Sequence, residues 1–289
     1  MTINTTTQEY IQNALKEDIG EGDITTESLI SPTTQAEAHI ICKQEAIVAG
    51  QEIAAYVFSS VSPQVRYQIK KSDGERVDNQ GVIAVINGSV ANILKGERLA
   101  LNYLQRLSGV ATTTHAFVQA VKPYGANILD TRKTTPLLRS LEKKAVLAGG
   151  GVNHRYGLYD QVLIKENHLQ AVCEQEHMAL DEAIPFAIKM SRQGVDDIVE
   201  IEVQTLDQAM SAVKAGADIV LLDNMSCADM ARVVKDVRHR LKNKVLLEAS
   251  GGISLDTVNT VAATGVDRIS VGALTHSCEA VDYSLLFNV

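Results

Sequence analysis

The chain has 289 residues, 45% of them hydrophobic, with 27 Lys+Arg against 35 Asp+Glu and a formal charge of −8. That length allows one large domain or two ordinary ones around a sizeable core. Aromatics are only 4%, Trp is absent and acidic residues predominate, which argues against a base-stacking nucleic-acid surface. No run reaches the roughly 18 consecutive apolar residues of a membrane span. The opening MTINTTTQEYIQN lacks the basic flank and apolar core of a signal peptide. Cys42, Cys173, Cys227 and Cys278 are scattered without a CxxC pair. This fits a reducing cytoplasm and predicts neither a disulfide scaffold nor a zinc site.

In chain order, residues 7–18 place Tyr10, Ile11, Ala14 and Leu15 at helical spacing. EDIGEGDITT follows, acidic and broken by glycine, with Asp23 placed to cap a turn; a structural loop is the favoured reading there. Residues 36–49 read as strand, turn, strand, and residues 51–60 as a helix. VRYQIK (65–70) and VIAVING (82–88) read as strands with a DG turn at 73–74 between them. The first hundred residues thus mix strands and helices without βα alternation, an α+β pattern. ANILKGERLALNYLQRL (91–107) is a strong helix with Ile93, Leu94, Leu101, Leu104 and Leu107 on one stripe. Ser108-Gly109 is read as a break, with a second helix to about Val121.

From Asn127 the pattern becomes regular. Strand-like runs fall at 127–129, 161–164, 197–203, 218–222, 244–248 and 268–271, with helical segments such as 205–215 and 227–241 between them. The GGGV segment is a candidate seventh strand. Repeated βα units of this kind predict a parallel sheet closed, or nearly closed, into an incomplete barrel. Asp197 and Asp218 start their strands, so they belong to the face away from the strand ends and read as structural.

The stretch Asn127–His168 runs against the acidity of the chain. It carries Arg132, Lys133, Arg139, Lys143, Lys144, Arg155 and Lys165 against Asp130, Glu142, Asp160 and Glu166, a charge of +3 that leaves −11 for the rest. A basic island in an acidic protein suggests a small anionic ligand. Its cations sit just past apolar runs: Arg132-Lys133 after NILD, Lys165 after QVLI, and His154-Arg155 after a triple glycine. Charges from several strand ends converge at one face of a barrel. Asn167 and His168, Asp223-Asn224 and His276 join them at other junctions.

Ser250-Gly251-Gly252-Ile253 before a helix reads as a backbone anion cradle, and Val271-Gly272-Ala273 follows one unit later. Together they suggest a sugar phosphate. Glu202 and Asp223, at successive strand ends, suit Mg²⁺, general-base work or stabilisation of a sugar cation, with salt bridging to Arg132 or Lys165 as the bland alternative. Glu200 shares the face of Glu202, which is favoured because it lies nearer the strand end. His154 beside Arg155 suits binding a carboxylate or transferring a proton. His39, His115, His177 and His239 read as ordinary, and no His/Cys spacing supports a transition-metal site.

The strings ERLALNYLQRLSGVAT, DTRKTTPLLRSLEKKAVLAGGGVNHR, LIKENH, EIEVQT, LLDNMS, LEASGGIS and GVDRISVGALTHS together resemble the quinolinate phosphoribosyltransferase family. The resemblance runs from EDIGEGDITT to the end. It implies a transfer of phosphoribosyl from phosphoribosyl pyrophosphate to quinolinate, with loss of CO₂ and with Mg²⁺, in NAD synthesis. It also implies an N-terminal α/β sandwich over 1–110, with the tail 277–289 packed back on it, and an incomplete barrel of about seven strands over 111–276. A homodimer would place Arg98 of one subunit in the other's site. In such a family Arg132, Lys133, His154, Arg155 and Lys165 match the quinolinate pocket, Thr131 is a further substrate-binding residue, and Glu202 and Asp223 match the carboxylates near ribose and metal. Ser250, Gly251, Gly252 and Gly272 match the 5′-phosphate cradle. The expected catalytic set is Lys133, Lys165, Glu202 and Asp223. The alternatives are a phosphoribosyltransferase acting on nicotinate without decarboxylation, and a non-catalytic phosphate-ligand sensor.

Overall fold

The computed structural model describes residues 3–193, 198–240 and 245–288. The elements in order are α1 (Thr5–Ile19), α2 (Ile24–Leu29), β1 (Gln35–Cys42), β2 (Ala46–Ile47), α3 (Gln51–Val61), β3 (Arg66–Ile69), β4 (Arg76–Val77), β5 (Val82–Ser89), α4 (Val90–Val121), β6 (Asn127–Leu129) and α5 (Arg139–Ala148). There follow β7 (Val162–Ile164), α6 (Glu166–Glu176), α7 (Leu180–Arg192), β8 (Val199–Val203), α8 (Leu206–Lys214), β9 (Ile219–Asp223), α9 (Cys227–Arg240), β10 (Leu246–Ser250), α10 (Leu255–Ala262), β11 (Arg268–Ser270), α11 (Ala273–His276) and β12 (Tyr283–Phe287). Asp197, Leu241 and Lys244, at the ends of three predicted elements, lie outside the described residues.

Contacts divide the chain into two compact units. Unit 1 comprises Met1–His115, Thr135–Gly150 and Ser277–Val289. Its antiparallel sheet has the order β12-β1-β5-β3, with β2-β4 as a separate pair. The carboxyl of Asp23 accepts the Thr26 backbone N–H at 2.9 Å, so this acidic loop residue caps α2.

The expected break at Ser108-Gly109 does not occur, because α4 runs unbroken through it. One helical glycine costs only about 1 kcal/mol, and this helix buries Ile93, Leu101, Leu104, Leu107 and Val110. Glycine serves packing here. A Cβ at Gly109 would lie 2.1 Å from the Glu279 carbonyl oxygen. The Ser108 hydroxyl is engaged by the Ala49 N–H at 2.9 Å and by the Tyr283 hydroxyl at 3.0 Å.

The sequence division at 110 and 276 differs from this grouping at Thr135–Gly150, which joins unit 1. Within unit 1 this segment meets α4 through a part-buried ion pair that periodicity does not reveal. Arg106 of α4 donates to Glu142 through Nε at 3.1 Å and Nη2 at 2.8 Å, and Glu142 also takes the Thr135 N–H and hydroxyl.

Unit 2 comprises Ala116–Thr134 and Gly151–His276. Its six strands are parallel, in the order β6-β11-β10-β9-β8-β7. Val152 of the GGGV segment adds a single parallel bridge to Leu129, so the seventh element is one residue long. Among the described residues the ring stays open between Val152 and β7, an incomplete barrel.

Strand register sorts side chains onto two faces. Ile128, Ile201, Val203, Val220, Leu222, Leu247, Ala249 and Ile269 share one face and are buried. Helix residues three or four apart are buried too, such as Ala209, Ala212 and Val213 of α8 and Met230, Val233 and Val237 of α9. Each such side chain contributes roughly 1.5–3 kcal/mol when fully buried. The other face carries Leu163, Glu200, Glu202, Leu221, Asp223, Glu248, Ser250, Arg268 and Ser270 in mutual register. Putting polar residues at period two on the inner face is what builds the site.

Candidate active site

A cavity of about 690 Å³ opens at the C-terminal ends of the unit 2 strands. Thr131, Arg132 and Lys133 enter it after β6, His154 and Arg155 after the Val152 bridge, and Lys165 after β7. Glu202 comes from β8, Asp223 and Asn224 from β9, Ser250, Gly251 and Gly252 from β10, and Gly272 after β11. Residues as far apart in the chain as Thr131 and His276 are thus brought together. Arg98, exposed on α4 of unit 1, is not among the lining residues.

Among the described residues that line the cavity, Arg132, Lys133, Arg155 and Lys165 stand against two carboxylates, Glu202 and Asp223. The Arg155 guanidinium is pushed below its ordinary pKa by burial and then by the charge of Arg132. Its Nε is buried and finds no hydrogen-bond partner among the described residues, and Nη1 reaches only the Gln161 carbonyl at 3.4 Å. Leaving a buried donor unsatisfied costs about 1–3 kcal/mol, more for a charged group. An anion entering the cavity would relieve the repulsion between the two guanidiniums.

Lys165 Nζ lies 3.6 Å from Glu202. Burial raises the Glu202 carboxyl above its ordinary range, Lys165 works against that, and the charge of Asp223 adds to it. Glu202 and Asp223 therefore repel each other, and two hard oxygen donors in mutual repulsion fit a divalent cation such as Mg²⁺. His168, expected at this junction, turns away: its Nδ1 accepts the Lys165 backbone N–H at 2.9 Å and caps α6. Asp218, at the other end of β9, accepts from the Val199 N–H and from Arg192, a structural role.

The loop after β10 needs its glycines. Gly251 has φ +101°, and a Cβ there would lie 2.2 Å from Asn224 Oδ1. Gly252 has φ +59° and faces open space. Bare backbone ahead of the N-terminus of α10 is what an anion cradle requires. Asn224 itself has φ +52°; its N–H donates to the Ser250 carbonyl at 2.9 Å, and its Nδ2 to Asp223 at 2.8 Å. Lys133 is held by its carbonyl, which accepts the Thr275 hydroxyl at 2.8 Å.

One layer deeper lies a group the sequence reading missed. His154 Nε2 is 3.2 Å from Glu200 and 3.3 Å from Glu248, both fully buried. Arg268 Nε donates to the other Glu248 oxygen at 2.6 Å, and Gln161 donates to Glu200. Burial pushes the imidazole pKa down, but hydrogen bonds and charge from the two glutamates push it up further, to about 9. Burial works to raise Glu248 too, and His154 and Arg268 outweigh it and hold it below the ordinary range. His154 Nδ1 accepts the Arg155 backbone N–H at 2.8 Å, which needs a bare nitrogen. The two carboxylates favour the charged ring, and the Arg155 N–H favours a bare Nδ1. Glu248 was legible in principle: it stands two residues before Ser250 and so shares its face. Leu163 and Leu221 supply apolar lining that no charge pattern could announce.

The chain matches two family models, the quinolinate phosphoribosyl transferase N-terminal domain over residues 23–108 and the C-terminal domain over residues 110–286. It is 42% identical over 271 residues to a probable nicotinate-nucleotide pyrophosphorylase [carboxylating] of Bacillus subtilis, covering 93% of this chain and 89% of that one. It is 37% identical to quinolinate phosphoribosyltransferase [decarboxylating] 1 of Nicotiana glauca, covering 95% of this chain and 80% of that one. Among solved structures, the nicotinate-nucleotide pyrophosphorylase of Francisella tularensis superimposes with a TM-score of 0.89 at 38% identity, covering 100% of this chain and 98% of that one. With both domains matched and a cation-rich cavity at the barrel's strand ends, the chain belongs to the quinolinate phosphoribosyltransferase family.

Proposed function

We infer that this chain transfers phosphoribosyl from phosphoribosyl pyrophosphate to quinolinate with decarboxylation, giving nicotinate mononucleotide, pyrophosphate and CO₂ in NAD biosynthesis. The observation that carries the reading at the site is the pairing of Arg132 with Arg155 in a cavity where cations outnumber carboxylates. Quinolinate carries two adjacent carboxylates on a pyridine ring. Guanidinium forks and lysines suit such planar anions. Arg132, Lys133, His154, Arg155 and Lys165, with Thr131 beside them, are the proposed quinolinate set.

The ring nitrogen attacks the anomeric carbon as pyrophosphate leaves, so positive charge develops on the ribose. Glu202 and Asp223, on adjacent strands, are placed to stabilise that charge. Loss of the 2-carboxylate as CO₂ leaves an electron pair on the ring carbon, which the new pyridinium and the nearby Lys133 and Lys165 stabilise until a proton replaces it. Main-chain N–H groups of Ser250–Gly252 and Gly272 hold the 5′-phosphate, and their fixed direction sets which carbon meets the ring nitrogen. Mg²⁺ held by Glu202 and Asp223, directly or through water, would neutralise charge on the departing pyrophosphate. Arg98, outside the cavity set, is proposed to reach the site of a second copy in a homodimer. No helix among the described residues is long and apolar enough to cross a membrane. The cysteines are all free, and a cytoplasmic location is proposed.

The test is quinolinate-dependent release of CO₂ in the presence of phosphoribosyl pyrophosphate and Mg²⁺, with stoichiometric nicotinate mononucleotide expected. Turnover of nicotinate with no CO₂ from quinolinate, or tight binding of phosphoribosyl pyrophosphate without any turnover, would overturn it.

A further inference from the structure

The loop after β6 carries Arg132 and Lys133, and the loop after β11 carries Gly272; the two leave adjacent parallel strands. The Val271 N–H donates to the Leu129 carbonyl at 2.9 Å where those strands end. Beyond that point the loops meet again at Thr275, a residue of α11 with no exposed surface. Its hydroxyl has one proton to give and two carbonyls in reach. The Gly272 carbonyl, three residues back, is the local partner a helical threonine ordinarily takes, and it lies at 3.3 Å. The Lys133 carbonyl, 142 positions away in the chain, lies at 2.8 Å. The shorter bond is the stronger one, and its donor is closed to water. Two further bonds of the β6 loop are local: the Thr131 hydroxyl accepts the Lys133 N–H at 3.0 Å, and the Arg132 carbonyl accepts the Thr134 N–H at 2.9 Å. Lys133 also meets the β11 loop through its side chain. A Cβ on Gly272 would lie 3.2 Å from Lys133 Cδ and 3.0 Å from His276 Nε2. The bare Gly272 backbone thus leaves the lane in which the Lys133 stem lies.

We propose that Thr275 is a positioning residue for Lys133: its buried hydroxyl fastens the loop that carries the lysine to the loop that carries the Gly272 cradle. Thr275 is not among the residues lining the cavity, so it acts through Lys133. The proposal rests on the quinolinate reading for what each loop does. On that reading Lys133 steadies the electron pair left by departing CO₂, and Gly272 helps hold the 5′-phosphate. The two substrates are then gripped by different loops, and one hydroxyl fixes the spacing between the grips. A displacement of about 1 Å in such an arrangement can cost about 10²-fold in rate. A residue that served the fold alone would instead lower stability and leave turnover per folded molecule unchanged.

The experiment is a double-mutant cycle on the full chain, read as quinolinate-dependent CO₂ release per folded molecule. Its members are Thr275→Val, Lys133→Ala and the double variant, with Thr275→Ser as the conservative control. Thr275→Val keeps the side-chain shape and removes the donor; kcat should fall by about tenfold or more. Thr275→Ser keeps the donor and should stay within about threefold of wild type. In the Lys133→Ala background, Thr275→Val should cost less than about twofold, because the residue it acts through is already gone. Two results overturn the proposal: kcat of Thr275→Val within about twofold of wild type, or the same loss with and without Lys133. Should Thr275→Val fail to fold, Thr275→Cys, of similar volume and with a weak donor, is read in the same cycle by the same criteria. Near-normal turnover in Lys133→Ala alone would be a failure of the site reading and would take this proposal with it. A depleted Lys133→Ala with independent losses at Thr275 would sink the proposal and leave the site reading standing.

Discussion

Two layers of the same strands follow opposite rules, although they lie two residues apart. In the inner layer Glu200, Glu248 and Arg268 are paired with one another and with His154. In the outer layer Lys165, Glu202 and Asp223 face the cavity beside Arg132, Lys133 and Arg155, and Lys165 and Glu202 stand 3.6 Å apart. The inner charges face partners within the protein, with Glu248 Oε1 at ion-pair distance from His154 but left without a hydrogen bond among the described residues. The outer ones remain in excess of one sign, as a site built for an anion requires. The difference teaches that burial decides the task of a strand-end charge: identical residue types serve the scaffold at Glu200 and the cavity at Glu202.

The largest expected effect tests the outer layer. Arg132→Ala or Lys165→Ala should lower kcat/KM by about 10³-fold or more, since each removes a cation aimed at substrate charge. The thermal midpoint should stay within about 2 °C for Lys165→Ala, whose side chain is exposed. Near-normal kcat/KM in both would take them out of the site and dissolve the contrast.

The next test belongs to the inner layer and reads stability. The pKa of His154 rises from 6.5 in the unfolded chain to about 9 in the fold. Its stabilising contribution is therefore fully present below about pH 6.5 and is lost as pH rises through about 9. Glu248→Gln should cost about 3 kcal/mol at pH 6, and the gap from wild type should narrow by pH 9.5, as urea unfolding at both pH values will show. A gap that stays constant would sink the assignment of charge to His154.

The smallest effect sharpens the boundary between the layers. Gly251→Ala forces a Cβ toward Asn224 at φ +101°. It should raise KM for phosphoribosyl pyrophosphate by about tenfold, roughly 1.4 kcal/mol, with quinolinate KM almost unmoved. Equal losses for both substrates would mean that the cradle serves the whole cavity and not the phosphate alone.

Much of this was written in local pattern. DIVLL announced a buried strand because a residue flanked by helices and sheet must be apolar at almost every position, whereas QVLI gave a strand at the end of the sheet that is only half-buried. The polar residue that ends each run announced the junctions, which is why Arg132, Lys133, Lys165, Glu202 and Asp223 could be picked out together. Glycine was ambiguous by the same local logic. At Gly251 it supplies a backbone angle, whereas at Gly109 it makes room for Glu279 in an unbroken helix, and nothing within a few residues of either distinguishes them.

Sequence by itself determined the strand and helix periods, the basic island and the order of junctions, since these rest on side-chain size and charge within a few residues. Only the tertiary structure decided that Thr135–Gly150 groups with unit 1, where Glu142 pairs with Arg106, and that Glu248 and Arg268 close on His154. Those outcomes depend on charges far apart in the chain finding partners once water is excluded, and pairing energy of that kind leaves no periodic trace in the sequence.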